Sequence, residues 1–402
     1  MVSTQRDRLK QFIHRDLSVN AHKQLLIAKH KVYRESINLF HTLVYTSLAT
    51  TESNWIAKAR QQFSSATELE WQRSLLALEL HRLTPLVSYS LERHGLADAL
   101  PKPYLFEMQE SYRQTRMNNA VLLLMLNRIL QAMRERNLHP IIWKGIALAD
   151  SFYPDPGTRP MGDMDFAISP DEMDEATAVF KSLGLLPQSD AETSEAMYFA
   201  NQIGIICDVH HRVRLFEGKE SMNLTTNLKP QHLKTNSLPV LEPNAMIVHL
   251  IVHMDGHRNE TGPIIVWILD LAFVLRKWGA LLELEQLAKL MPTKEHFVSL
   301  FRTIRFLEHE FNEKPPECLA EVIKSFEPFT LEEILRQRRL ALWGLPRFRG
   351  WLRLSASKLG FQLRHSRPEL YLSDLFLWFS DALKNQCIGL KSKQIDLSSY
   401  FL

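Results

Sequence analysis

Two carboxylates two positions apart, Asp163 and Asp165, open the short apolar segment Asp163-Met164-Asp165-Phe166-Ala167-Ile168. No other feature restricts the fold as tightly. Residues two apart in a β-strand point to the same face. Read as a strand over 163–168, the segment projects Asp163 and Asp165 together while Met164 and Phe166 face a core. Neighbouring carboxylates repel each other unless a cation or a proton compensates. Oxygen ligands of this kind suit Mg²⁺ or Mn²⁺, with water and phosphate oxygens completing the shell.

The residues around the pair extend the pattern. An apolar run from Pro140 to Trp143 ends on Lys144-Gly145 and reads as a short strand closing in a tight turn. Downstream, Ser169-Pro170-Asp171-Glu172 predicts a helix start with Ser169 as N-cap, and Gly184 predicts its end. The runs 196–201 and 203–209 then read as a hairpin whose second arm carries Asp208-Val209-His210. Three strand carboxylates, Asp163, Asp165 and Asp208, meeting at one sheet edge can hold metal and leave a proton acceptor for an incoming hydroxyl. Lys144, Gly145 and Arg159 precede the pair, a lysine offering a point charge to phosphate and an arginine a fork.

Helical spacing dominates elsewhere. Apolar residues recur helically from Val32 to Gly95, with a break near Thr84-Pro85, and a long amphipathic helix is predicted over 105–137. After Pro243, where Asn244 is the expected cap, 264–275 reads as a strongly apolar helix and Thr330-Leu331-Glu332-Glu333 as a capping box. A helix is also expected at 17–28. The expected class is α+β, a small mixed sheet embedded between helical regions. We divide the chain at 1–110 (N-terminal helices), 111–235 (α/β core) and 236–402 (C-terminal helices). The net charge of +3 on 402 residues singles out no partner, and three dispersed cysteines give neither a metal-ligand spacing nor a disulfide framework. With no signal-like or membrane-spanning apolar run, the expected location is the cytoplasm.

Together, Lys144-Gly145, Arg159, Asp163-Met164-Asp165 and Asp208-Val209-His210 resemble the nucleotidyltransferase superfamily of the DNA polymerase beta type. Within it, His81–Leu96, the VHMDGH segment and the WILDLAFVL segment are similar to a poorly characterised bacterial branch, over roughly 70–280. The turn here is Lys144-Gly145, where the superfamily's usual one is Gly-Ser or Gly-Gly. The resemblance implies Mg²⁺-dependent transfer of a nucleoside monophosphate from an NTP to a hydroxyl or phosphate acceptor, whether small molecule, peptide product or protein. It also implies Asp163, Asp165 and Asp208 as catalytic metal ligands and Lys144, Gly145 and Arg159 as nucleotide-binding residues. His210, on the strand parity of Asp208, is expected to orient that carboxylate. Two alternatives are an inactive fold kept as a binding or assembly module, and a glycosyltransferase holding a nucleotide sugar. The latter expects a larger nucleotide-binding unit before the motif.

Other clusters have plainer readings. His249, His253 and His257 fall on one helical stripe without the glutamate of a zinc protease, and His249 and His253 are expected to pack at a core edge. Asp270, inside an apolar run, reads either as a buried acid satisfied by hydrogen bonds or, the favoured reading, as a contact at a domain interface. The stretch 336–367 holds nine Lys or Arg and no acid. It reads as the solvated face of an amphipathic helix, with nucleic acid a less favoured partner.

Overall fold

The computed structural model describes residues 37–49, 54–188, 196–210, 238–261 and 264–342. The expected helix at 17–28 and the basic stretch beyond residue 342 lie outside the described residues. Five helices lead: α1 (37–48), α2 (Asn54–Ser65), α3 (Glu68–Leu80), α4 (Thr84–Arg93) and α5 (Lys102–Arg134). A capping box between Thr67 and Glu70 starts α3. The break before α4 falls where expected: Arg82 turns the chain with φ +58, and Pro85 sits in the first turn, where its missing N–H costs nothing. So, among the described residues, the region ahead of the sheet is helical, rather than the larger nucleotide-binding unit of the glycosyltransferase reading.

The sheet has five strands in the order β1-β2-β5-β4-β3, with β1 (Ile141–Trp143), β2 (Met164–Ala167), β3 (Leu186–Pro187), β4 (Ala196–Ala200) and β5 (Ile206–His210). Strands β2 and β5 run parallel and the other neighbouring strands antiparallel, making the sheet mixed. Helix α6 (Lys144–Ser151) follows β1 directly, and α7 (Met173–Ser182) lies in the crossover from β2. Alternation sorts the side chains: Met164, Phe166, Cys207, Val209 and Phe199 are fully buried, and Phe180 of α7 packs on Phe166 and Phe199. One face is thereby closed by α7. The other carries Asp165 and Asp208.

The C-terminal helices are α8 (Pro243–Thr261), α9 (Ile265–Trp278), α10 (Leu284–Leu290), α11 (Lys294–Phe311) and α12 (Leu331–Leu342). Two helix starts differ from expectation. Glu242, not Asn244, caps α8, its carboxylate accepting from the N–H groups of Asn244 (3.2 Å) and Ala245 (2.8 Å). Pro243 takes the first helical position, which leaves the residue before it as cap. Ser169 makes no cap bond; its hydroxyl donates to Asp171, and the chain enters α7 through a 3₁₀ turn at Pro170–Glu172. Gly184 ends that helix with φ +77, as its position predicts. Apolar side chains from both helical regions and the sheet form one continuous core, so the helices flank the sheet rather than standing apart. No helix among the described residues is long and apolar enough to cross a membrane.

Candidate active site

Strand register builds the site. Trp143 lies opposite Asp165, Asp165 opposite Asp208, and Asp208 opposite Tyr198, one row across four strands. The two carboxylates therefore point to the same face from adjacent parallel strands, in direct register. Both are buried. His210, two residues further along β5, brings Nε2 to 2.9 Å from Asp208 Oδ2. Asp165, Asp208 and His210 each offer a ligand atom within 4.8 Å of the others. Asp163 precedes β2 by one residue, half-exposed, outside that group.

A side chain already answers the charge of the pair. Lys144 Nζ lies 2.5 Å from Asp165 Oδ1, 3.6 Å from Asp208 Oδ2 and 3.3 Å from His210 Nε2. The imidazole nitrogen cannot both donate to Asp208 and accept from Lys144, so the three groups share one set of protons. Burial disfavours the ammonium, but Asp165, Asp208 and Asp163 outweigh it and raise the pKa of Lys144. Burial, assisted by Asp163 and Asp208, pushes Asp165 up to about 6 despite Lys144. For Asp208, burial is overcome by His210 and Lys144, and its pKa is lowered. Asp208 Oδ1 is buried and has no hydrogen-bond partner. An orphaned carboxylate oxygen beside a second carboxylate and an imidazole is a donor set that fits a divalent cation.

Arg159 is held differently. Its Nε and Nη2 donate to the two oxygens of Asp270 on α9, each at 2.7 Å, and Tyr153 donates to the same carboxylate at 2.7 Å. Asn119 of α5 donates to the carbonyls of Pro156 (2.5 Å) and Arg159 (2.8 Å), fixing the loop that carries the arginine. The third nitrogen, Nη1, rests against Gly145: a Cβ there would stand 2.8 Å from it. Glycine at 145 is therefore a close-approach requirement. Asp270 thus proves to be both a buried acid and an inter-region contact, joining a C-terminal helix to the sheet's leading loop.

The histidine stripe of α8 packs at the edge of this face, as expected. His249 stacks on Trp143 (4.6 Å between ring centroids), and His253 follows, contacting His257 (4.7 Å) and Trp267 (5.1 Å). Trp143 in turn meets His210 edge-on at 5.0 Å. Burial first, then positive neighbours including Lys144, lowers the pKa of His249 well below the usual range and that of His253 to about 3. Both rings are neutral packing elements at ordinary pH.

Sequence reasoning missed three things: the pairing of Arg159 with Asp270, the contact of Lys144 with the carboxylates, and the role of Trp143. A signal existed for the first. An acid inside an otherwise apolar run must find a buried cation.

A family model described as "Uncharacterised nucleotidyltransferase" matches residues 67–312, more than half of the chain. The chain belongs to this family and is an enzyme of the nucleotidyltransferase class. Among solved structures, part of the chain is similar to ANT(2'')-Ia in complex with adenylyl-2''-tobramycin, at 18% identity and a TM-score of 0.33, over 42% of this chain and 94% of that one. It is likewise similar to the solution structure of the antibiotic-resistance factor ANT(2'')-Ia, at 17% identity and a TM-score of 0.34, over 48% and 98%. No curated protein matches it.

Proposed function

We propose that the chain moves a nucleoside monophosphate from an NTP to a hydroxyl or phosphate acceptor, with Mg²⁺ or Mn²⁺ held by Asp165 and Asp208 and approached by Asp163 from the strand's mouth. One observation carries this reading. Two buried carboxylates stand directly opposite each other on adjacent parallel strands, and one of their oxygens, Asp208 Oδ1, has no partner. A divalent ion bound there supplies charge neutralisation at the triphosphate.

The protein's own groups divide the remaining work. His210 fixes one oxygen of Asp208, which leaves the other, Oδ1, available to the cation. Lys144 and the first N–H groups of α6 offer positive charge to the triphosphate. Gly145 lets Arg159 Nη1 come close to that turn while Asp270 holds the rest of the guanidinium still. Helix α8 walls the face beside Trp143 through the stacked ring of His249.

The test is label transfer from the four α-labelled NTPs into a whole-cell extract, with and without chelator, for wild type and Asp165→Asn. Transfer is expected from at least one NTP, abolished by chelation and lowered about a hundredfold or more by the substitution. No transfer from any of the four, together with no binding of Mg·NTP, removes the reading.

A further inference from the structure

Several observations meet at Lys144. The first is charge: its ammonium contacts both Asp165 and Asp208, the pair that the proposed divalent cation would also have to satisfy. The second is backbone. Lys144 has φ +50, the left-handed conformation that costs a residue with a side chain about 1–2 kcal/mol and glycine almost nothing. A lysine is thus kept where its backbone disfavours it, which directs attention to what its side chain does. The third is the clamp behind it. Gly145 is pinned against Arg159, and Arg159 is pinned by Asp270, so the turn has little room to shift and relieve the strain.

The side chain itself is the movable part. A lysine carries a compact charge on four rotatable carbons, and this one retains partial exposure, 19% of its side-chain surface. Lysine and divalent ion together would overcompensate the two carboxylates. A triphosphate brings the negative charge that lets both cations stay in the site, with the ammonium moved from carboxylate to phosphate.

We propose that Lys144 is the resident counter-cation of the Asp165–Asp208 pair, that a divalent ion is held there only once this ammonium swings away, and that the nucleotide's triphosphate draws it off. Metal and nucleotide then load as a coupled pair, each raising the other's affinity by the same factor. Lys144 acts as a positioning residue in this scheme and keeps the metal-free pair from repelling itself. The proposal rests on the nucleotidyl-transfer reading of the site.

The test measures Mn²⁺ binding to the full chain, from the paramagnetic resonance signal of the free ion and by calorimetry. Wild type, Lys144→Met and Lys144→Gly are titrated with and without a mixture of four NTP analogues bearing a methylene between the α and β phosphorus atoms. Wild type is expected to bind Mn²⁺ weakly alone and about tenfold or more tightly with the analogues, a coupling of ordinary size. Both variants should bind Mn²⁺ alone about tenfold more tightly than wild type, and the analogues should then add little. The glycine variant also relieves the left-handed backbone, so strain cannot confound it. If both variants bind Mn²⁺ alone no better than wild type, or keep the full coupling, the proposal is overturned. Asp165→Asn separates the two layers: if it binds Mn²⁺ as wild type does, the ion is not held here, and the reading of the site falls together with the proposal.

Discussion

The cation that opens α6 and the one that follows it, Lys144 and Arg159, are both held by buried aspartates, and they are held in opposite ways. Arg159 meets Asp270 as a fork on a carboxylate, both oxygens used, with side-chain exposures of 9% and 1%. Lys144 meets two carboxylates with a single ammonium, and Asp208 Oδ1 is left without a partner. The first arrangement is saturated and has nothing to exchange. The second has one cation too few for its acceptors and keeps a path to solvent. Burial alone therefore does not mark the site. What marks it is burial with an unfinished set of partners.

This contrast predicts different losses. Asp270→Asn should cost stability, about 3–5 kcal/mol, because it leaves the buried Arg159 without a counter-charge. Denaturant unfolding of the variant measures it, and the double variant Arg159→Met/Asp270→Leu should recover most of the loss. A small effect of Asp270→Asn would mean that the guanidinium finds another partner, and the two clusters would no longer be opposites.

Asp165→Asn should behave in the reverse manner. It leaves Lys144 with Asp208 and removes a repulsion, so the thermal midpoint should move little. Label transfer should fall about a hundredfold to a thousandfold, the range for loss of a charge-stabilising group in a reacting site. If the midpoint collapses instead, the carboxylate row is a structural element.

Gly145 joins the two clusters. In Gly145→Ala, the new Cβ would stand 2.8 Å from Arg159 Nη1, which Asp270 prevents from retreating. Crowding of this kind costs about 1–3 kcal/mol. Unfolding midpoints of Gly145→Ala in the wild-type and Arg159→Met backgrounds check it, since the penalty should shrink when the guanidinium is gone.

How much of this was legible depends on the range over which each signal acts. The alternation of Asp163, Asp165 and their apolar neighbours is local, and strand parity alone places Asp165 on the polar face. The hairpin that presents Asp208 is local too. The register that sets Asp208 directly beside Asp165 is not, because it arises from parallel pairing across a crossover. The Arg159–Asp270 pair joins residues 111 positions apart, beyond any periodicity. Nor does a lysine announce a left-handed backbone, since most lysines avoid it. Caps failed for a local reason: Ser169 and Asn244 carry the right chemistry, but the proline beside each shifted where the helix begins or how it is entered.

The smallest expected effect concerns the wall beside the site. His253 is held neutral, its pKa pushed down to about 3 first by burial and then by the positive charges of Lys144 and Arg159. The unfolded chain takes up a proton near the ordinary histidine value, about 6.5, while the fold does not. A base depressed in the fold contributes stability above its unfolded pKa, and that contribution is lost as pH falls from about 6.5 toward 3, at about 1.4 kcal/mol per unit. His249, fully buried against Trp143, shares the same direction. Removing one of the two should thus remove part of the acid sensitivity and leave the rest. His253→Phe keeps the ring contacts with Trp267 and His257 and deletes the proton site. Urea midpoints at pH 7.5 and 5.5 should show the variant losing about 1 kcal/mol less than wild type over that interval. Parallel profiles would mean that His253 protonates within the fold, so that the wall beside Trp143 is not the dry packing element that its burial implies.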